Sequence, residues 1–333
     1  MKKLHLKFVV LIIVFSASLA CSKNNDDDNQ PEPVTNVYAV GYEREGNKNI
    51  AKIWKNNIAT ALTDVTTNAN AYSVYVTDNG DEYVAGYEDN VAVLWKNGIK
   101  TVLTDATSFA VANSVFVLGN DIYVAGLERK PNSFQRAFLW KNGVISYLSP
   151  INVGASANSV FIAGNEVYVA GIEDTNAGRP IATLWKNGVK SFLTGGTSSA
   201  MAYSVFVSGN DIYVAGYEEN SNSKAVAKLW KNGVATALSN GVNDDCANAV
   251  YVSRTDVYIA GKQGNEGVLW KNNIPAINLP NSSNAKSVFV SGDDVYIGGS
   301  QSDKATVWKN GEATNLTDGI DVGIVNSVFV TKN

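Results

Sequence analysis

Five glutamates recur at one offset. Glu43, Glu88, Glu128, Glu173 and Glu218 each stand two residues after a glycine that ends an apolar run, and Gln263 and Gln301 hold that place in two further copies. Carboxylates acting in pairs can cleave glycosidic bonds. Little else in the chain suits catalysis. The only histidine is His5, and the only cysteines are Cys21 and Cys246. A chain with no histidine beyond its first residues lacks the commonest general base and metal ligand. Ser-His-Asp and Cys-His systems and the usual zinc sites go with it. Cys246 follows Asp244-Asp245, whose charges raise a thiol pKa and make it less reactive. No glycine-rich phosphate loop opens a helix. Asp78-Asn79-Gly80-Asp81-Glu82 touches a calcium-loop pattern but lacks the twelve-residue frame with its final Glu, and reads as a hairpin. The expectation is no metal and no cofactor. The five acids either line one face together or make a repeated structural hydrogen bond, such as one accepted from a neighbouring repeat. Recurrence in five copies favours the structural reading, because nothing singles out a pair.

The elements that carry these acids are repeats. Trp54, Trp95, Trp140, Trp185, Trp230, Trp270 and Trp308 each open a Trp-Lys-Asn, at spacings of 41, 45, 45, 45, 40 and 38 residues. A near-fixed period of this length marks a repeat architecture. Five copies continue with Gly and two with Asn. Asn-Gly between apolar runs predicts a type I′ hairpin turn, which needs positive φ at both central residues, and Asn-Asn keeps that chemistry. Around the third copy the unit reads as four strands: A at Asn113–Val117, B at Ile122–Gly126, C at Ala137–Trp140 and D at Val144–Leu148. The runs are rich in Val, Ile, Phe and Tyr, with no helical periodicity.

Strands A and B are apolar at nearly every position, which fits a sheet covered on both faces. Neighbouring units must supply that cover, as the blades of a β-propeller do. The first unit has a strand B at Val37–Gly41 with no strand A before it, and the chain ends on an unmatched strand A, Asn326–Val330. The predicted fold is therefore all-β: a seven-bladed propeller of four-stranded blades spanning residues 37–333. Its ring closes when the C-terminal strand joins the first blade, which removes an exposed sheet edge. The seven tryptophans are predicted inter-blade core residues.

Ala137-Phe138-Leu139-Trp140-Lys141-Asn142-Gly143 resembles the bacterial extracellular repeats named for a His-Ala-Phe segment, in which Ala-Phe-Leu-Trp precedes an Asn-Gly turn. The likeness covers residues 37–330. This chain has Gln135-Arg136 before Ala137, and only this copy carries the Phe. The resemblance implies the fold and an exported protein, and it implies no chemistry.

The start of the chain suggests an address. Lys2, Lys3 and Lys7 precede a short apolar run, Phe8 to Leu19, which is shorter than the roughly 20 residues of a membrane span. Ser18-Leu19-Ala20-Cys21 resembles a bacterial lipobox, with Ser18 where Leu is typical. Residues 1–20 are then a lipoprotein signal peptide and Cys21 the lipidation site. Residues 21–36 read as an acidic flexible tether, and the acidic run at 26–28 resembles the surface-export signal of lipoproteins in Bacteroidota. An ordinary secretory cleavage would fall at the same place. The expected location is the outer membrane, facing outward, with membrane contact through the lipid alone. The mature chain would hold 24 basic against 31 acidic side chains, a balance unsuited to nucleic acid. A monomer is expected.

Propeller ligands approach the face formed by the B–C and D–A loops, an analogy at the level of fold. The B–C loops are also where the copies differ, and loops on a rigid scaffold are where binding residues tend to lie. Phe134, Arg136 and Arg179 are the candidate contacts there. At the channel mouth the residue before the strand A Ser is Tyr72, Asn113, Asn158, Tyr203, Asn248, Lys286 or Asn326. Tyr72 and Tyr203 among them are candidates for sugar contact, while water bridging between these side chains would merely cap the channel. The sequence thus points to a non-catalytic binding or scaffolding module with a glycan or protein ligand. A carboxylate-dependent glycan-cleaving enzyme and an envelope-assembly accessory are the alternatives.

Overall fold

Each repeat folds into one antiparallel sheet of four strands, lettered A to D from the central channel outwards. Blade 4 shows the pattern: A is Ala155–Ala163, B Glu166–Asp174, C Pro180–Lys186 and D Val189–Phe192, paired in that order. The computed structural model describes residues 34–175, 178–281 and 283–332. These hold seven four-stranded sheets and no helix, a seven-bladed β-propeller. The expected leader, Cys21 and nearly all of the expected tether lie outside the described residues.

Blade 1 is assembled from both ends of the chain. Gly323–Lys332 forms its strand A against Thr35–Glu45, in a register running from Thr35 opposite Lys332 to Glu43 opposite Gly323. Strand B of this blade begins at Thr35 rather than Val37, because Lys332 and Thr331 continue the ladder to meet Thr35 and Asn36. The closing strand also ties both neighbours. Val328 N–H donates to Ser287 Oγ at 3.0 Å, and Asn326 donates to the Ala71 carbonyl at 2.9 Å.

Strand A is longer than its apolar run suggests. In blade 3 it spans Phe109–Leu118, not Asn113–Val117. The cause is a bulge: Ala112 faces Gly126 and Ser114 faces Ala125, leaving Asn113 unpaired while the ladder resumes upstream. Every blade skips the equivalent residue, namely Tyr72, Asn158, Tyr203, Asn248, Lys286 or Asn326. The bulge presses a carbonyl onto strand B, and a glycine must stand there. A Cβ on Gly171 would lie 1.9 Å from the Ser156 carbonyl oxygen, and its six counterparts meet the same carbonyl as closely. The repeated glycine is thus the partner of the bulge.

Trp-Lys-Asn-Gly acts as a latch as well as a turn. Asn142 and Gly143 take φ of 47° and 95°, the predicted I′ signature. Asn142 Oδ1 accepts Ile122 N–H at 2.9 Å, and its Nδ2 donates to Asp121 at 2.7 Å. Lys141 pairs with the same Asp121 at 2.8 Å and lies 4.8 Å from the Tyr123 ring centre. The indole goes the other way, into the seam with the preceding blade. Trp185 packs on Tyr123, Ala125 and Ala137 of blade 3, and Trp54 packs on Ala305 and Val307 of blade 7. Six of the tryptophans are at most 1% exposed, and Trp140 is 8% exposed because Phe138 fills the space beneath Gly126 in that blade.

The latch has a pH signature. Hydrogen bonds from Lys141 and Asn142 hold Asp121 below the usual carboxylate range, and Asp211, Asp256 and Asp294 are lowered by their own Lys and then Asn. Asp81 and Glu166 are lowered by Asn first. A carboxylate with a depressed native pKa stabilises the fold above its unfolded pKa, and that contribution is lost as pH falls through the native value. The thermal midpoint is therefore expected to hold from neutrality down to about pH 5 and drop below about pH 4. These sites are exposed, so added salt should shrink the effect. A midpoint flat to pH 3 would contradict the latch's role.

Inside the ring two girdles stack. Ser73, Ser114, Ser159, Ser204, Ser287 and Ser327 each accept a valine N–H from the next blade, at 3.0 to 3.4 Å. Ala249 interrupts this series in blade 6. Below it, Tyr75, Phe116, Phe161, Phe206, Tyr251, Phe289 and Phe329 close a ring of tilted aromatic contacts, with centroids 4.6 to 5.1 Å apart. Each ring contributes apolar burial and edge-to-face attraction to two neighbours.

Candidate ligand-binding face

The two faces of the disc differ in kind. The A–B and C–D turn face is set by the latch repeated in blades 2 to 7, while in blade 1 Asn36 takes the acid's place beside Asn56. Blade 2 has a longer A–B turn, and it helps wall a cavity of about 580 Å³ lined by Tyr75, Asp78, Asn79, Asp81, Lys96 and Leu118 among others. This turn is the hairpin with calcium-like spacing. Asp81 is already engaged by Lys96 at 3.0 Å and Asn97 at 2.8 Å. Among the described residues no three His, Cys, Asp or Glu side chains gather as a metal site. Of the cavity's walls, Asp81, Tyr83 and Lys96 belong to the latch.

The glutamate series lies towards the opposite face, and each acid finds its partner within its own blade, a lysine for four of them and neutral hydroxyls for Glu128. Lys52 and Lys228, on strand C, reach Glu43 and Glu218 at 2.5 and 3.5 Å. Lys100 and Lys190, on strand D, meet Glu88 (2.9 Å) and Glu173. In blade 3 Ser108 and Tyr147 donate to Glu128, and burial followed by that bond pushes the Tyr147 phenol up to about 12. A bond from a neighbouring repeat is therefore not what these acids make. The partners also swap places consistently. Where strand C supplies the lysine, strand D has Ala59 or Ala235; where strand D supplies it, strand C has Val93 or Thr183. Blades 6 and 7 have no lysine at either place and carry Gln263 and Gln301 instead. A buried acid is present only where a partner is, as the cost of burying an unpaired charge requires.

The B–C loops show which of the predicted contacts are free. Phe134 is 58% exposed and borders a cavity of about 270 Å³ with Arg129, Gln135, Gly154 and Asp174. Burial, then the nearby Glu173, raises the Asp174 pKa. Gly154 leaves it room, since a Cβ there would sit 2.1 Å from Asp174 Oδ2. Neither Arg129 nor Asp174 forms an ion pair among the described residues. Arg136 is committed elsewhere: its guanidinium lies 3.6 Å from the centre of the Tyr147 ring and donates to the Ser149 carbonyl at 3.1 Å. Arg179 donates to the Thr197 carbonyl at 2.5 Å and remains exposed. Arg129 and Asp174, the first residues of the long B–C loops as read from sequence, are the last residues of strands B in blades 3 and 4.

At the channel mouth four of the bulge residues tie one blade to the next. Asn113, Asn158, Asn248 and Asn326 each donate to an alanine carbonyl of the next blade, at 2.7 to 2.9 Å. Tyr72 and Tyr203 cannot make that bond. Each instead meets a second tyrosine on its own strand B, Tyr87 at 6.1 Å and Tyr217 at 6.0 Å between ring centres. The sequence signal for these partners was the residue directly after the strand B glycine. Cys246 also lies here, partly buried, and burial raises its thiol pKa as the largest cause.

No family model and no curated protein matches the chain. Solved structures match in fold. A puromycin-hydrolyzing peptidase of Mycobacterium tuberculosis aligns over 83% of this chain at 11% identity with a TM-score of 0.55. The chain spans about half of that peptidase, 53% of its length. A putative TolB from Agrobacterium tumefaciens is covered over 99% of its length at 10% identity, with a TM-score of 0.45. At such identities the likeness is one of fold alone.

Proposed function

We propose that this propeller is a non-catalytic binding module, held at the outer surface of the outer membrane by lipid on Cys21, and that it takes a glycan or protein ligand on the B–C/D–A face. One observation carries the reading. Phe134, Arg129 and Asp174 border one cavity on that face, and none of the three is taken up by the latch, the seams or the acid series. The glycan-cleaving alternative needs two acids converging in one cavity. Asp174 has the raised pKa such an acid needs, but its nearest acid, Glu173, is paired with Lys190 and does not line the same cavity. Capture of labelled envelope glycans and proteins by the chain should fall about tenfold in a Phe134→Ser/Arg129→Ser variant, equivalent to about 1.4 kcal/mol. A Lys96→Ser control on the opposite, latch face should bind normally. Equal capture by all three proteins would count against the proposal.

A further inference from the structure

Two blades give up an inter-blade hydrogen bond and place a tyrosine pair in its stead. Asn is the repeat's own solution at the bulge, since its amide ties one blade to the next. Tyr72 and Tyr203 forgo that tie, so packing of the ring does not explain them. In both blades the residue after the strand B glycine is also Tyr, whereas blades 3, 4, 6 and 7 have Leu127, Ile172, Lys262 and Ser300. The joint substitution makes half-buried phenol pairs. Burial raises the Tyr72 pKa most, and Tyr87 and then Tyr42 of blade 1 add to it. Blades 2 and 5 stand nearly opposite in a ring of seven, so the pairs face one another across the mouth.

The third departure at the bulge is a cation. Lys286 of blade 7 replaces Asn, and Lys262 of blade 6 replaces the apolar or tyrosyl residue. Lys262 stands opposite Cys246 in the blade 6 ladder, and Lys286 follows Ala285, whose carbonyl accepts Asn248 of blade 6 at 2.7 Å. Neither lysine forms an ion pair among the described residues, in a chain of net charge −4. The nearby Asp244 is taken by Lys224 at 3.1 Å.

We infer that the channel mouth is a subsite for an acidic oligosaccharide, lying between the tyrosine pairs Tyr72–Tyr87 and Tyr203–Tyr217 with its anionic group on Lys262 and Lys286. This rests on the binding reading above and narrows it to one ligand class and one place. Tyrosine offers rigid apolar area with a hydrogen-bonding tip at small entropic cost, which suits the C–H faces and hydroxyls of a sugar ring. Lysine ammonium groups are point charges that accept a carboxylate or a sulfate. The aromatic girdle beneath the serines narrows the channel, so the chain of sugars lies across the mouth and does not thread it.

The test is calorimetric titration of the full chain with uronic-acid oligosaccharides, their carboxyl-reduced counterparts, and sulfated neutral oligosaccharides. Tyr72→Asn/Tyr203→Asn restores the repeat's own residue, so it should fold with an unchanged or higher thermal midpoint while losing at least tenfold in affinity. Lys262→Ser/Lys286→Asn should keep binding to the reduced oligomer and erase the preference for the acidic one. The uronic and sulfated arms decide between carboxylate and sulfate. Undiminished affinity in the tyrosine variant, equal affinity for acidic and reduced oligomers, or no binding of any oligomer would overturn the subsite. If the subsite fails while capture still depends on Phe134 and Arg129, the broader binding proposal stands. Steady release of new reducing ends would instead overturn the non-catalytic reading.

Discussion

A chain ending before Gly323 is expected to lose its cooperative thermal transition. The missing strand carries Val325, Val328 and Val330, each at most 5% exposed. Their burial alone is worth roughly 5–9 kcal/mol, against a total stability of about 5–15 kcal/mol for an ordinary domain. The loss is compounded. Strand B of blade 1 becomes an open edge, the Ser287 and Asn326 ties vanish, and the aromatic girdle loses Phe329 between Tyr75 and Phe289. Circular dichroism melts of the two proteins make the comparison. A truncated chain that melts at the full-length midpoint would show that ring closure contributes little.

Trp230→Ala should cost about 3–5 kcal/mol, the usual range for deleting a buried indole. Trp230 is 0% exposed and joins Tyr168, Ala170, Ala182 and Leu184 of blade 4 to Val205 and Val214 of blade 5. Among the described residues its indole N–H meets no acceptor. Size, not hydrogen bonding, is therefore what this site requires, and Trp230→Phe should be far milder than the alanine change. Trp185 is the informative contrast, because its Nε1 donates to the Leu148 carbonyl at 3.1 Å. Trp185→Phe should lose about 1 kcal/mol more than Trp230→Phe, the typical value of a hydrogen bond. Denaturant midpoints for the three variants rank these effects. Equal losses for both phenylalanine variants would remove the hydrogen bond from the account.

What the sequence made legible was local or counted. The Asn142-Gly143 turn is written in two adjacent residues whose backbone preference is intrinsic. The seven-bladed ring follows from the period of the tryptophans and from a strand left over at each end. What stayed hidden depends on register between strands. Asn113 does not announce a bulge, so strand A was drawn four residues short at its start. The partners of Glu88 and Glu43 lie on different strands, and only the folded sheet shows Lys100 and Lys52 doing the same task. Lys141 gave no sign of its dual contact with Asp121 and Tyr123. Tyr72 was picked out as a mouth residue, but its pairing with Tyr87 rests on two strands meeting at the bulge.

The sharpest single measurement compares ligand capture across the two faces of the disc. Labelled envelope glycans and proteins are presented to the wild-type chain, to Phe134→Ser/Arg129→Ser on the loop face, and to Lys96→Ser on the latch face. The account predicts capture by the wild type and by the latch-face variant, about tenfold weaker capture by the loop-face variant, and bound material recovered chemically unchanged. Capture that survives the loop-face change but fails with Lys96→Ser, or recovery of cleaved glycan, would contradict it.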